Sequence, residues 1–204
     1  MARGQFEFVK FKPGCVDGAA ARLAGIRQRS DAAEWHVARL GADMLACVGR
    51  CDSEAQASEL SERLERLLGG ELAERLMSRD SRSGDEVLTF RPAASAPAFQ
   101  RFVVIRMKPG KVDEIRQAAE PALPAIFGAR PGFLRYSMVR TGDDSGVFVS
   151  SWETRAQAQA EVLGSFKALR QLGPSMVTIG RLLPAFISFD SYVGEVLPAG
   201  TAAA

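Results

Sequence analysis

The sequence predicts an α+β protein built from two tandem ferredoxin-like βαββαβ repeats, and three observations predict it. A nine-residue stretch occurs twice: residues 6–14 read FEFVKFKPG and residues 102–110 read FVVIRMKPG. The match continues through Val16-Asp17 and Val112-Asp113 at a constant offset of 96. A second anchor, Ser53-Glu54-Ala55-Gln56, returns 101 residues later as Thr154-Arg155-Ala156-Gln157. Around these anchors each half reads strand, helix, strand, strand, helix, strand. That order describes a four-stranded antiparallel sheet with two helices on one face.

The first repeat spans residues 1–91. In its first strand, residues 5–12, Phe6 and Phe8 point one way and Val9 and Phe11 the other, the pattern of a strand covered on both faces. Pro13-Gly14 stops it. Residues 16–28 carry Ala20, Leu23, Ala24 and Ile26 near helical spacing, weakened by Gly18 and Gly25. Two short strands, 34–40 and 44–50, flank a Gly41-Ala42-Asp43 turn. Ser53 with Gln56 three residues on is a capping box. The helix it opens aligns Leu60, Leu64, Leu67 and Leu68 and is expected to end at Gly69-Gly70. A helical piece over 71–77, a polar loop over 78–85 and a strand over 86–90 complete the repeat.

Residues 92–99 are rich in Pro and Ala and read as a linker. The second repeat, 100–193, has strands at 100–108, 133–141, 146–152 and 184–192. Its helices run from 111 to 120 and from the Thr154 box to about Leu172. Residues 194–204 read as a flexible tail. In each repeat the sheet face away from the helices is also apolar and too large to stay bare. Two such sheets packed face to face would cover it within one chain.

Composition excludes several classes of function. Of 204 residues, 26 are Lys or Arg and 24 Asp or Glu, a net charge of +2, which supports neither nucleic-acid nor membrane attraction. The N-terminus lacks the apolar core of a signal peptide, and no run approaches the ~20 apolar residues of a membrane span. Cys15, Cys47 and Cys51 form no CxxC pair. On one strand, Cys47 and Cys51 would stand roughly 13 Å apart, too far to bridge. Reduced thiols and a cytoplasmic location are expected. No phosphate loop, dinucleotide fingerprint, nucleophile elbow or metal-spaced cluster is present.

Lys-Pro-Gly after a first strand, Pro131-Gly132-Phe133 before a second, and Trp152-Glu153-Thr154 between a strand and a capped helix resemble the antibiotic-biosynthesis-monooxygenase family, of the dimeric α+β barrel superfamily. The resemblance covers about 100–193; the first repeat is degenerate, with Cys51 where Trp152 stands. It implies an intramolecular α+β barrel in which fusion replaces the family's homodimer. It further implies cofactor-free oxygenation of a small aromatic, polyphenol or quinol-type substrate, using no metal or flavin. The family's quinone-forming members carry an Asn four residues before the Trp; here that position is Phe148. The His that many relatives carry early in the next helix corresponds to Glu161. Haem-degrading members need an Asn, a Trp and a His, and the His position falls near Arg170, so haem degradation is not expected.

Four residues are candidates for catalysis. Trp152 would line the pocket or anchor the core. Tyr136 and Arg140 share a strand face, the one able to donate to an oxyanion and the other to fix a phenolate or carboxylate. His36 is the single histidine and the only imidazole base available. Phe148, Met138, Phe166 and Glu161 are expected to line the substrate pocket, and no metal ligands are assigned. Arg106 and its counterpart Lys10 read as solvated edge residues. Two alternatives stay open: a non-catalytic binding or assembly protein, and a cyclase or isomerase on the same scaffold. A further homodimer of tandem chains is also left open.

Overall fold

A computed structural model of the chain describes residues 2–26, 34–160 and 186–198. They form eight strands: β1 (Arg3–Phe11), β2 (Glu34–Arg39), β3 (Met44–Cys51), β4 (Leu76–Phe90), β5 (Phe99–Met107), β6 (Phe133–Arg140), β7 (Ser145–Trp152) and β8 (Phe186–Val196). The helices are α1 (Val16–Ala24), α2 (Glu54–Leu64), α3 (Lys111–Ala119) and the short α4 (Leu123–Phe127). Another opens after Thr154, and residues 155–160 of it are described. No helix among the described residues is long and apolar enough to cross a membrane.

The chain divides into two compact units, residues 1–85 with 194–204, and residues 86–193. In unit 1 the strand order is β4-β1-β3-β2; in unit 2 it is β8-β5-β7-β6. Both read fourth, first, third, second, which is the antiparallel ferredoxin-like order. The predicted α+β class and element order are those of the structure.

Alternation along the first strand of each unit explains the cores. In unit 1, Val9 and Phe11 pack with Trp35, Leu45, Leu23 and Leu64 under the helices, while Phe6 and Phe8 are buried on the other face. The Trp35 indole N–H donates to the Leu23 carbonyl at 2.9 Å, tying β2 to the end of α1. In unit 2, Ile105 and Met107 pack with Met138, Trp152, Ile115 and Phe127, while Phe102, Val104, Val147 and Val149 are buried opposite. Each such side chain, removed from water, contributes roughly 1.5–3 kcal/mol before chain entropy is counted.

The duplicated Pro-Gly turns serve backbone geometry. Gly14 and Gly110 sit at φ +80° and +78°, a left-handed conformation that glycine adopts without a Cβ clash. The Thr154 box is reciprocal: Gln157 N–H donates to Thr154 Oγ1 at 3.3 Å, and Thr154 N–H to Gln157 Oε1 at 3.0 Å. At Ser53 the Gln56 side chain instead accepts from the Asp52 N–H, at 2.8 Å.

Three expectations need correction. The polar run 78–85 is strand, not loop: β4 covers 76–90, and Arg79 and Ser81 face the β1 carboxylate Glu7. The run itself holds no apolar residue, although Phe6, Phe8 and Val9 of β1 stand opposite Arg82, Asp80 and Arg79, so no apolar alternation marks it. The helix after Ser53 does not stop at Gly69-Gly70. It passes through both as a π-helical turn, Glu65–Glu71, closed by Leu72 N–H on the Leu67 carbonyl at 2.8 Å. A 3₁₀ turn, Ala73–Arg75, then leads into β4. The tail begins as structure: β8 runs to Val196, Val196 and Glu195 pair with Ala38 and Arg39, and Leu197 N–H donates to the Val37 carbonyl. A Cβ on Gly194 would meet Leu40 Cδ2 at 2.7 Å, so the chain approaches β2 too closely there for a side chain. The predicted extensions of α1 past 26 and of the last helix to Leu172 lie outside the described residues.

Candidate functional site

The helix-facing wall of unit 2 is set by strand register. Along β7, Trp152 lies between Phe99 and Phe133, Ser150 between Arg101 and Tyr136, and Phe148 between Val103 and Met138. Directly opposed residues on neighbouring strands project to one face. A register shift between Phe133 and Arg135 takes Leu134 out of the ladder, so Phe133 and Tyr136 share the wall although three residues separate them.

Aromatic rings dominate this wall. Phe133 stacks on Phe127 with centroids 4.5 Å apart, and Trp152 meets Phe133 edge-on at 5.1 Å. Tyr136 stacks between Phe127, at 5.4 Å, and Phe148, at 5.9 Å. Trp152 is 2% exposed, and its indole N–H is satisfied by Ser150 Oγ at 3.0 Å. Tyr136 and Phe148 are only half-buried and keep ring surface accessible.

One further residue belongs here that the sequence reading passed over. Arg101 is 8% exposed, and its Nε donates to Ser191 Oγ at 3.1 Å. Guanidinium stays charged at any physiological pH and is the cation most compatible with burial. Its signal in the sequence was a cation in the Phe99, Val103, Ile105 row, at an inward position of a strand otherwise apolar on that face. A buried cation, a hydroxyl, a phenol and apolar rings thus share one wall. Such a wall can seat an aromatic molecule and favour a negative charge developing on it.

Trp152, Tyr136, Met138 and Phe148 all lie on this wall, with Met138 fully buried. Arg140 shares the face, but its Nη1 is held by Asp113 Oδ2 at 3.1 Å. The same tie occurs in unit 1, where Arg39 pairs with Asp17. A strand-to-helix pair kept in both units is explained by the scaffold. Lys10 and Arg106 make matching exposed pairs with Asp43, at 3.5 Å, and Asp144, at 3.3 Å. His36 belongs to unit 1, half-buried opposite Val48 on the face away from Trp35 and Val37. Glu161 and Phe166 lie outside the described residues.

The corresponding wall of unit 1 has different chemistry. Cys51, Gly49 and Cys47 replace Trp152, Ser150 and Phe148, and Glu7 stands where unit 2 has Val103. Glu7 is fully buried and accepts from Arg79 Nε at 2.8 Å, Arg79 Nη2 at 3.0 Å and Ser81 Oγ at 2.8 Å. These hydrogen bonds with Glu7 raise the Arg79 pKa above its ordinary value. Burial, reinforced by the Glu7 charge, pushes the Cys47 thiol well up. Burial also raises Cys51. Both thiols are neutral near pH 7 and poor nucleophiles. Among the described residues no group of three His, Cys, Asp or Glu side chains is placed to hold a metal ion.

Residues 98–162 match the family model for antibiotic biosynthesis monooxygenase. No curated protein sequence matches the chain at a significant level. Among solved structures, a putative monooxygenase from Fusobacterium nucleatum superposes with a TM-score of 0.69 at 10% identity, covering 97% of this chain and 93% of its own. An anthrone oxidase-like protein gives 0.66 at 16% identity, with 100% and 95% covered. A heme-degrading enzyme from Listeria monocytogenes gives 0.50 at 6% identity, with 92% and 97% covered. At these identities the likeness is one of fold.

Proposed function

We propose that unit 2 binds a small aromatic molecule, of polyphenol or quinol type, on its helix-facing wall and oxygenates it with the substrate as its own reductant. The observation that carries this reading is the pairing of accessible stacked rings, Tyr136 and Phe148, with the buried Arg101 on the same wall. The match of residues 98–162 to a monooxygenase family supports it.

The chemistry follows from charge. A phenol bound here loses its proton, and Arg101 and the Tyr136 hydroxyl stabilise the anion in surroundings poor in water. The anion passes an electron to O₂, and the two fragments combine at a ring carbon. One oxygen atom stays in the quinone carbonyl and the other leaves as water, so the substrate supplies all the electrons. Trp152 backs the wall and holds Ser150 in place. Arg140 and His36 receive no chemical role, the former because it is tied to Asp113 and the latter because it belongs to unit 1.

Oxygen uptake by metal-free protein supplied with a hydroquinone or an anthrone tests the proposal. Arg101→Met is expected to lower kcat by about 10²–10³-fold, the usual effect of removing one donor to a developing anion. Tyr136→Phe should lower it less, and His36→Gln should leave it unchanged. Turnover that continues undiminished under argon would overturn the oxygenase reading and favour an isomerase or cyclase.

A further inference from the structure

Unit 1 carries a cleft of about 310 Å³ between α2 and the sheet, lined by Arg3, Gln5, Cys51, Ser58, Ser61 and Ser83 among others. Its origin is legible in the duplication. Arg3 pairs in register with Cys51 as Phe99 pairs with Trp152, and Gln5 pairs with Gly49 as Arg101 pairs with Ser150. Two large rings in unit 2 are therefore matched in unit 1 by a thiol and a flexible cation, and space opens where the indole would stand. The volume lies at the lower end of the range for small-molecule sites.

The lining specifies a ligand. Arg3 Nε is buried and has no hydrogen-bond partner among the described residues. The nearest carboxylate oxygen, Asp85 Oδ1, is 3.9 Å away, beyond hydrogen-bonding distance. A buried donor left unpaired is costly, so this one is a standing demand for an acceptor. The Arg3 charge itself is already met, because Nη1 is held by Glu54. The Gln5 carbonyl is engaged by Ser61 Oγ at 3.2 Å, so what Gln5 offers a ligand is its amide N–H. Glu54 and Glu62 line the cleft and disfavour an anion. The missing acceptor is therefore a neutral oxygen, and the serine hydroxyls can exchange hydrogen bonds with further hydroxyls.

We infer that this cleft is a binding site for a single neutral ring bearing hydroxyl or carbonyl groups, distinct from the wall of unit 2 and independent of any oxygenation there. Resorcinol serves as the neutral probe and benzoate as the charged control, both titrated under argon into the ¹⁵N-labelled full chain. Resorcinol is expected to shift the amides of Gln5, Cys51, Ser61 and Ser83 saturably, and benzoate to leave them in place. Cys51→Trp restores the indole of the matched position and should abolish the shifts. Ser58→Trp plugs the mouth from the exposed side of α2, leaves the core untouched, and should do the same. Arg3→Met should weaken binding about tenfold. The inference is overturned if resorcinol leaves these amides unmoved in the folded wild type, if the shifts persist in Ser58→Trp, or if benzoate binds equally well. The oxygenation reading would be untouched by any of these, since it is judged by oxygen uptake.

Discussion

Arg79→Met removes the charge that Glu7 depends on while keeping most of the side-chain volume. Glu7 is fully buried, and three of its hydrogen bonds come from Arg79 and Ser81; the substitution leaves only the hydroxyl. Breaking one partner of a buried ion pair costs about 3–5 kcal/mol, because an uncompensated charge remains in a medium of low polarisability. The Arg79 link to Glu65, at 2.6 Å, adds little, since Glu65 is mostly exposed. Replacing both partners, Glu7→Met with Arg79→Met, should recover most of the loss, because a matched apolar pair needs no solvation. Urea unfolding in a Trp152→Phe background is the assay, with Trp35 then the only indole and a reporter from the unit 1 core. A cost below about 1 kcal/mol for the single variant, or a double variant no more stable than the single, would refute the reasoning. Either result would mean that Glu7 is solvated or re-paired, and that the unit 1 wall is not closed by this cluster.

Two other expectations are quickly tested. Burial raises the folded-state pKa of Cys47 above the ordinary 9.0, so its contribution to stability is full below pH 9 and is lost as pH rises above it. Relative to Cys47→Ala, the wild type should lose about 1.4 kcal/mol per pH unit above that point, measured as the difference between urea midpoints at pH 8 and pH 10. Arg39→Ala and Arg140→Ala should each cost no more than about 1 kcal/mol, as partly exposed pairs do. Arg140→Ala should also leave oxygen uptake unchanged; a loss of turnover would return Arg140 to the site.

Most of the scaffold could be read from the chain because its signals are local. Phe6, Phe8, Val9 and Phe11 state a two-sided strand by alternation, and the Pro-Gly and Thr154 anchors fix where elements begin. What could not be read depended on partners distant in sequence. Residues 78–85 are polar because Arg79 and Ser81 answer a carboxylate more than 70 residues away, so neither period nor propensity marks them as strand. Gly69-Gly70 looked like a stop, yet Leu67 and Leu68 are buried and carry the helix through. In the site, Tyr136, Met138 and Phe148 were reachable from strand alternation. Arg101 is not marked by the duplication, because its counterpart is Gln5, whereas the repeated cation Lys10/Arg106 marks an outward ion pair. The scaffold role of Arg140 was readable too: Asp17 and Asp113 lie inside the matched segments, and Arg39 and Arg140 end equivalent strands.

The return of residues 194–197 to β2 has a bearing on biogenesis. Ala38 and Arg39 leave the ribosome early, yet the residues that pair with them are made only after every residue of unit 2. Domains synthesised first usually finish folding first. Here the N-terminal unit waits for its last strand partners, and meanwhile the outer edge of β2 presents open backbone groups on which another nascent chain could pair. Slowing translation between residues 86 and 193 would lengthen that exposure.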